Sequence, residues 1–104
     1  MKQYDVFDNP VPQARRAFPL VAVLQSDLAS TGHDRIVAPL APRTRVSAVA
    51  GRLTPIVEVA RAEHVLFVPR MTTLPAQDLR DSRGNLADHR EDIVAALDYL
   101  FLGI

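Results

Sequence analysis

Hydrophobic positions follow two rhythms along the chain, and the change from one to the other divides the predicted elements. The first rhythm is short apolar runs set between turn residues, which is how strands read. Tyr4-Asp5-Val6-Phe7 is a short strand that stops at the turn cluster Asp8-Asn9-Pro10. Val11 to Arg16 reads as a loop. Phe18 to Leu24 is then apolar without a break, bounded by Gln25-Ser26-Asp27. Continuity without alternation predicts a strand covered on both faces, the second cover being a helix or another subunit. Pro19 falls near its start, where a missing N–H does least harm. Ser30 to Asp34 reads as a loop, and Arg35 to Leu40 as a strand ending near Pro39. Pro42 to Arg52 predicts no element. Thr54–Val59 and His64–Val68 are β-rich and joined by Ala60–Glu63, which predicts a hairpin. Met71 to Asn85 is polar and irregular.

The second rhythm starts at Asp88. Asp88 is placed as a helix N-cap, with Glu91 three residues later completing a capping box. Ile93, Leu97, Leu100 and Ile104 then recur at helical spacing with Ala96 beside them, a core stripe over about four turns that includes Ile104 only if the helix runs on past Gly103. The same wheel puts Phe101 at the margin of that stripe, Leu102 roughly opposite Ile93, and Tyr99 well off it. A solvated face normally carries Lys, Glu or Gln at such positions. Large apolar residues off the buried face favour a contact surface. Gly103 is placed to end the helix in the left-handed conformation. The elements together predict a β-dominated α+β fold, antiparallel strands followed by one C-terminal helix. A small barrel is the economical way for such a sheet to lose its edges.

Composition narrows the function classes. A chain of 104 residues fits one domain, residues 1–104. The 12 basic and 12 acidic residues cancel, which removes a general nucleic-acid or anionic-membrane surface. There is no cysteine for disulfides or thiolate metal sites. No apolar run approaches the ~20 residues that span a bilayer. The first ten residues carry acids where a signal peptide would be apolar, so a cytoplasmic protein is expected.

The search for catalytic chemistry returns little. His33, His64 and His89 are far apart and form no HExxH pair. His64 beside Glu63 reads as a salt bridge, and His89 as packing on the capping region. Gln25-Ser26-Asp27 reads as turn hydrogen bonding rather than a nucleophile with its acid. No glycine-rich phosphate loop or nucleophile elbow is present. No catalytic, cofactor-binding or metal-binding residue is assigned.

Three segments in order resemble the CcdB family of gyrase-poisoning toxins. They are Val23-Leu24-Gln25-Ser26-Asp27-Leu28, continuing through Thr31 to Arg35-Ile36-Val37-Ala38-Pro39-Leu40; then Met71-Thr72-Thr73; then His89-Arg90-Glu91-Asp92-Ile93 through Phe101-Leu102-Gly103-Ile104. The resemblance implies a small SH3-like barrel of the CcdB/MazF type with a C-terminal helix, acting as a homodimer. It implies binding to the dimerisation region of the DNA gyrase A subunit, trapping of the cleavage complex, and no covalent chemistry. DNA is met only through the gyrase or antitoxin complex. Neutralisation is by a CcdA-like antitoxin whose disordered segment folds on binding. By position, Phe101, Gly103 and Ile104 match the poisoning tail, with Leu102 and Tyr99 beside them, and Leu28 and Ala29 match positions flanking that surface. The plasmid-encoded toxin of the family has tryptophan where this chain has Leu102. Leucine fills an apolar pocket but neither stacks nor donates a hydrogen bond. Antitoxin-contact residues are not assigned, and Arg15 and Arg16 read as part of a solvated loop.

Two other readings remain. A MazF/PemK-like endoribonuclease shares the barrel and a pattern echoed by Pro19, Val23, Ser26, Asp27, Pro39 and Leu40. Such nucleases carry Arg before that first proline and Ser or Thr after Pro-Leu, whereas this chain has Phe18 and Ala41. A non-poisoning homologue that only dimerises and binds antitoxin is the third reading, and Leu102 is the position that separates it from the first.

Overall fold

Val6 and Phe7 are neighbours and both are buried, so the first strand needs apolar cover on each of its faces. A computed structural model, describing residues 1–30, 32–46 and 51–104, shows how the cover is supplied. Thr31, read above as loop and as part of the first family segment, lies outside the described residues, as do residues 47–50 of the unassigned stretch. Seven strands are present among the described residues: β1 (Asp5–Asp8), β2 (Leu20–Val23), β3 (Asp34–Pro42), β4 (Ile56–Val59), β5 (Ala62–Leu66), β6 (Thr72–Pro75) and β7 (Gly84–Asn85). They pair antiparallel in the order β4-β5-β3-β2-β1-β7, with β6 also on β3. The helix α1 spans Arg90–Leu102. The result is a nearly closed antiparallel barrel with a C-terminal helix. A side chain on Gly84 of β7 would come within 4.0 Å of Val59 at the end of β4, which shows how nearly the two ends of the sheet meet.

Two apolar clusters flank the sheet. Tyr4, Val6, Ala22, Leu24, Ala38, Leu40, Val57 and Leu66 face the main core, onto which Ile93 and Ala96 of α1 pack. Phe7, Val21, Val23 and Val37 face the other way and meet Leu79 and Leu74. The unbroken run of β2 is therefore covered twice, as its pattern predicts. Its second cover is neither a helix nor another chain. It is the stretch read as polar and irregular, Met71 to Asn85, which holds β6, β7 and these two leucines. That stretch hides its role because β6 buries no residue fully and β7 has only two residues.

Several local expectations are corrected. The first strand begins at Asp5 because Tyr4 takes a left-handed backbone (φ 71°), which turns its ring into the main core. β3 runs past Pro39 to Pro42. Along one edge its first half pairs with β6 and its last residues with β5, and Pro39 lies where the partner changes. There its carbonyl accepts from Phe67 N–H at 2.9 Å, and its absent N–H interrupts no continuous ladder. The hairpin turn is tighter than expected: Ala60 and Arg61 alone connect β4 to β5, at φ 51° and 67°. Both central residues at positive φ match the strand twist in a two-residue loop.

The expected capping box is not made. The Asn85 side chain accepts from Ala87 N–H at 2.7 Å and starts a 3-10 turn over Ala87–His89. That turn carries the chain past Asp88, so α1 starts at Arg90 with no side-chain cap. The His89 side chain, expected to pack on the capping region, reaches β4 instead, its Nε2 accepting from Glu58 N–H at 3.1 Å and tying the helix start to that strand. His64 makes no pair with Glu63: its Nδ1 lies 3.0 Å from the Ala62 carbonyl, while Glu63 pairs with Arg43 at 3.0 Å.

Candidate binding surface at the helix end

The stripe on α1 settles its inward side. Ile93 and Ala96 are wholly buried, with Leu97 and Leu100 packed partly against the same core. Ile104, which joins the stripe only if the helix runs on, does not reach it. Ile104 is 75% exposed. Gly103 takes the left-handed conformation (φ 73°) and donates its N–H to the Tyr99 carbonyl at 3.1 Å, so the helix stops and Ile104 leaves the core side. Phe101 and Leu102 are each 67% exposed and Tyr99 is 41% exposed. Phe101, which the wheel put at the margin, is therefore plainly outside the core. Phe101, Leu102 and Ile104, three large apolar side chains, share one chain end with little cover, and Tyr99 stands half-covered beside them.

Arg52 ties this end to the barrel through two contacts. Arg52, on the 3-10 helix Gly51–Leu53, sets its guanidinium carbon 4.4 Å from the centre of the Tyr99 ring. Its Nη2 also donates to the main-chain oxygen of Ile104 at 3.0 Å. Sequence reasoning did not find these contacts. Arg52 closes the stretch for which no element is predicted, and it meets a residue 52 positions away.

Leu28 and Ala29 belong to another part of the molecule, a 3-10 helix (Asp27–Ala29) after β2. The segment Gln25-Ser26-Asp27 acts there as turn chemistry. Ser26 Oγ accepts from Ala29 N–H at 3.2 Å, Asp27 Oδ1 accepts from Gln3 N–H at 2.8 Å, and Gln25 Nε2 donates to the Ala29 carbonyl at 2.7 Å. Leu28 is thus fixed by its neighbours while its own side chain is 92% exposed. No hydrogen bond or ring contact among the described residues joins this loop to the helix end. Gln25 Oε1 instead accepts from Ile36 N–H at 3.0 Å, and Ile36 adds a half-covered apolar side chain that sequence reasoning did not single out.

The positions at which the nuclease reading expects catalytic groups are packed with apolar side chains. Phe18 meets Phe67 edge to face at 5.2 Å between ring centres, with the Arg70 guanidinium 5.6 Å from the Phe18 ring. Ala41 is buried in the sheet. Among the described residues, no three His, Asp or Glu side chains gather to hold a metal ion, and no helix is long and apolar enough to cross a membrane. The helix end brings together exposed apolar side chains, a left-handed glycine and one arginine.

The sequence matches the family of the CcdB protein over residues 3–103, nearly the whole chain. This chain belongs to the CcdB family. It is therefore a toxin of a toxin–antitoxin system, of a kind that is not itself an enzyme. No curated protein sequence matches it significantly. The CcdB match takes in both Leu28 and Ala29 and the helix end as far as Gly103.

Proposed function

We propose that this CcdB-family toxin binds the DNA gyrase A subunit through the end of its helix and traps the gyrase–DNA cleavage complex. Phe101, Leu102, Gly103 and Ile104 form the contact, with Tyr99 at its base and Leu28 and Ala29 on its flank. The toxin acts as a homodimer, and a CcdA-like antitoxin neutralises it. The observation that carries this reading is the division of α1. Its inward stripe is buried, whereas Phe101, Leu102 and Ile104 remain exposed around a glycine that stops the helix. An apolar end of this kind, left uncovered by core packing, is suited to a desolvated partner pocket.

The test is a cleavage assay with purified gyrase, supercoiled DNA and the purified toxin. Stabilised cleavage complexes are expected with the native protein, and none with Gly103→Glu or with residues 103–104 removed. Removing 103–104 should leave the melting curve close to native, because neither residue contributes to the core, and Gly103→Glu should lower it only slightly, by the strain of a side chain at φ 73°. Absence of cleavage with the native protein overturns the gyrase reading. If antitoxin binding then persists, membership of the toxin–antitoxin module is what remains. A large fall in melting temperature on removing 103–104 makes the tail a structural element instead.

A further inference from the structure

Arg52 makes two contacts with the helix end. Its guanidinium lies on the Tyr99 ring, and one of its N–H groups reaches the main-chain oxygen of Ile104. These two targets bracket the exposed residues Phe101 and Leu102 and the helix-stopping Gly103. Beyond the stop, the bond from Arg52 is the hydrogen bond that holds Ile104 among the described residues. Gly103 gives its own backbone wide freedom, so the segment after it has no local reason to keep one direction.

We propose that Arg52 is a positioning residue that clasps the helix end and pre-sets Phe101, Leu102 and Ile104 for their partner. The inference rests on the gyrase reading for the partner's identity but not for the clasp. Arginine suits the task because a planar guanidinium can lie on a ring and donate from its edge together. Lysine, a compact point charge, can serve one of the two contacts at a time. Tyr99 thereby changes role: one face of its ring is occupied by Arg52, so it anchors the clasp more than it offers contact area. Gly51 supports the placement, since the short helix begins at φ 68°, a conformation in which any other residue is strained.

Ordering a segment in advance tightens binding by removing a cost otherwise met on association. From one partly exposed stacking contact and one charged hydrogen bond, the expected gain is about tenfold in affinity. The experiment compares native protein, Arg52→Ala and Arg52→Lys in three measurements. These are affinity for a fragment holding the gyrase A dimerisation region, backbone order parameters of residues 101–104 in the free toxin, and the melting temperature. The expected result for Arg52→Ala is about tenfold weaker binding with a clear fall in order at residues 103 and 104 and little change in melting temperature. Arg52→Lys should recover part of both. Adding Tyr99→Leu to Arg52→Ala should cost little more, because the ring has already lost its partner.

Three outcomes overturn the proposal: unchanged order and affinity in Arg52→Ala, weaker binding with unchanged order, or a loss of affinity that tracks a general loss of stability. If the native protein does not bind the fragment at all while Arg52→Ala still loosens residues 103 and 104, the gyrase reading fails and the clasp stands.

Discussion

The two ends of α1 use the same kind of side chain for opposite purposes. Ile93, three residues into the helix, is completely buried, whereas Phe101 and Leu102, in its last turn, are two-thirds exposed. By hydrophobicity alone the last turn is the better candidate for burial. What separates them is phase and termination. Ile93, Ala96, Leu97 and Leu100 return to one side every three or four residues, and that side meets the barrel. Leu102 is out of phase with them, and Gly103 takes Ile104 out of phase too. Apolar character decides what a residue gains from burial, but geometry decides whether the fold or a partner provides it.

The largest expected effect separates the two ends by stability. Ile93→Ala should cost about 3 kcal/mol, since it removes a fully buried branched side chain from a close-packed site. Phe101→Ala should change stability by less than about 0.5 kcal/mol, as an exposed substitution away from caps and core usually does. Denaturant titration measures both. Equal losses would erase the distinction between the two ends. Toxicity should fall in both variants, with soluble folded protein lost only in the first.

A middle-sized effect tests the exposed end by gain. Leu102→Trp adds a flat ring and an N–H donor at a position that is two-thirds exposed. About tenfold tighter binding to the gyrase A fragment is expected, with the melting temperature unchanged. Unaltered or weaker binding would mean that the partner site around residue 102 is shaped for leucine. The native protein would then not be a weakened version of a tryptophan-bearing ancestor.

The smallest effect lies in acid and touches the barrel alone. Arg83 donates two hydrogen bonds to the Asp8 carboxylate, at 2.7 and 3.2 Å. Those hydrogen bonds hold the Asp8 carboxyl below its ordinary value of 3.8 against the opposing effect of burial, with smaller help from the positive charges of Arg83 and Arg15. A carboxyl lowered in the folded state stabilises the fold above the unfolded value and stops doing so as pH falls through the folded one. Both side chains are more than half exposed, so the loss is small and shrinks with added salt. Asp8→Asn should flatten that acid limb in a pH series of melting temperatures and leave gyrase binding at neutral pH untouched. An acid limb unchanged in Asp8→Asn would place it elsewhere.

The sequence was most legible where burial and periodicity agree. β2 declared its double cover through an unbroken run, and α1 declared its core stripe through Ile93, Leu97 and Leu100. The fold class and the exposed Leu102 followed from the same counting. The misreadings have specific causes. β6 and β7 were invisible because their residues, Thr72 to Pro75 and Gly84-Asn85, earn their place through backbone pairing with β3 and β1 rather than through apolar side chains. Leu74 and Leu79, which cover the second face, stand alone among polar neighbours and show no period. Asp88 and Glu91 had the spacing of a capping box, but Asn85 had already turned the chain. Ile104 was legible only as a conditional: it stays with the stripe if the helix runs on and leaves it if Gly103 stops the helix, which is the case here. Arg52 had no signal, since its partners are far off in sequence and its own neighbours have no pattern.

The pairing of β1 with β7 has a consequence in time. Asp5 and Asn85, which close that ladder, are 80 residues apart, whereas β4 and β5 are separated by a two-residue turn. Chain closure over long separations is slow, and a two-residue strand repays little of it. The topology therefore predicts that folding begins in the β4–β5 hairpin and finishes at the β1–β7 seam. Leu86, immediately after β7, donates to the Tyr4 carbonyl and leads straight into the turn before α1. The helix end is thus delivered by the last step of assembly, and a half-folded toxin carries its apolar residues without the geometry to use them.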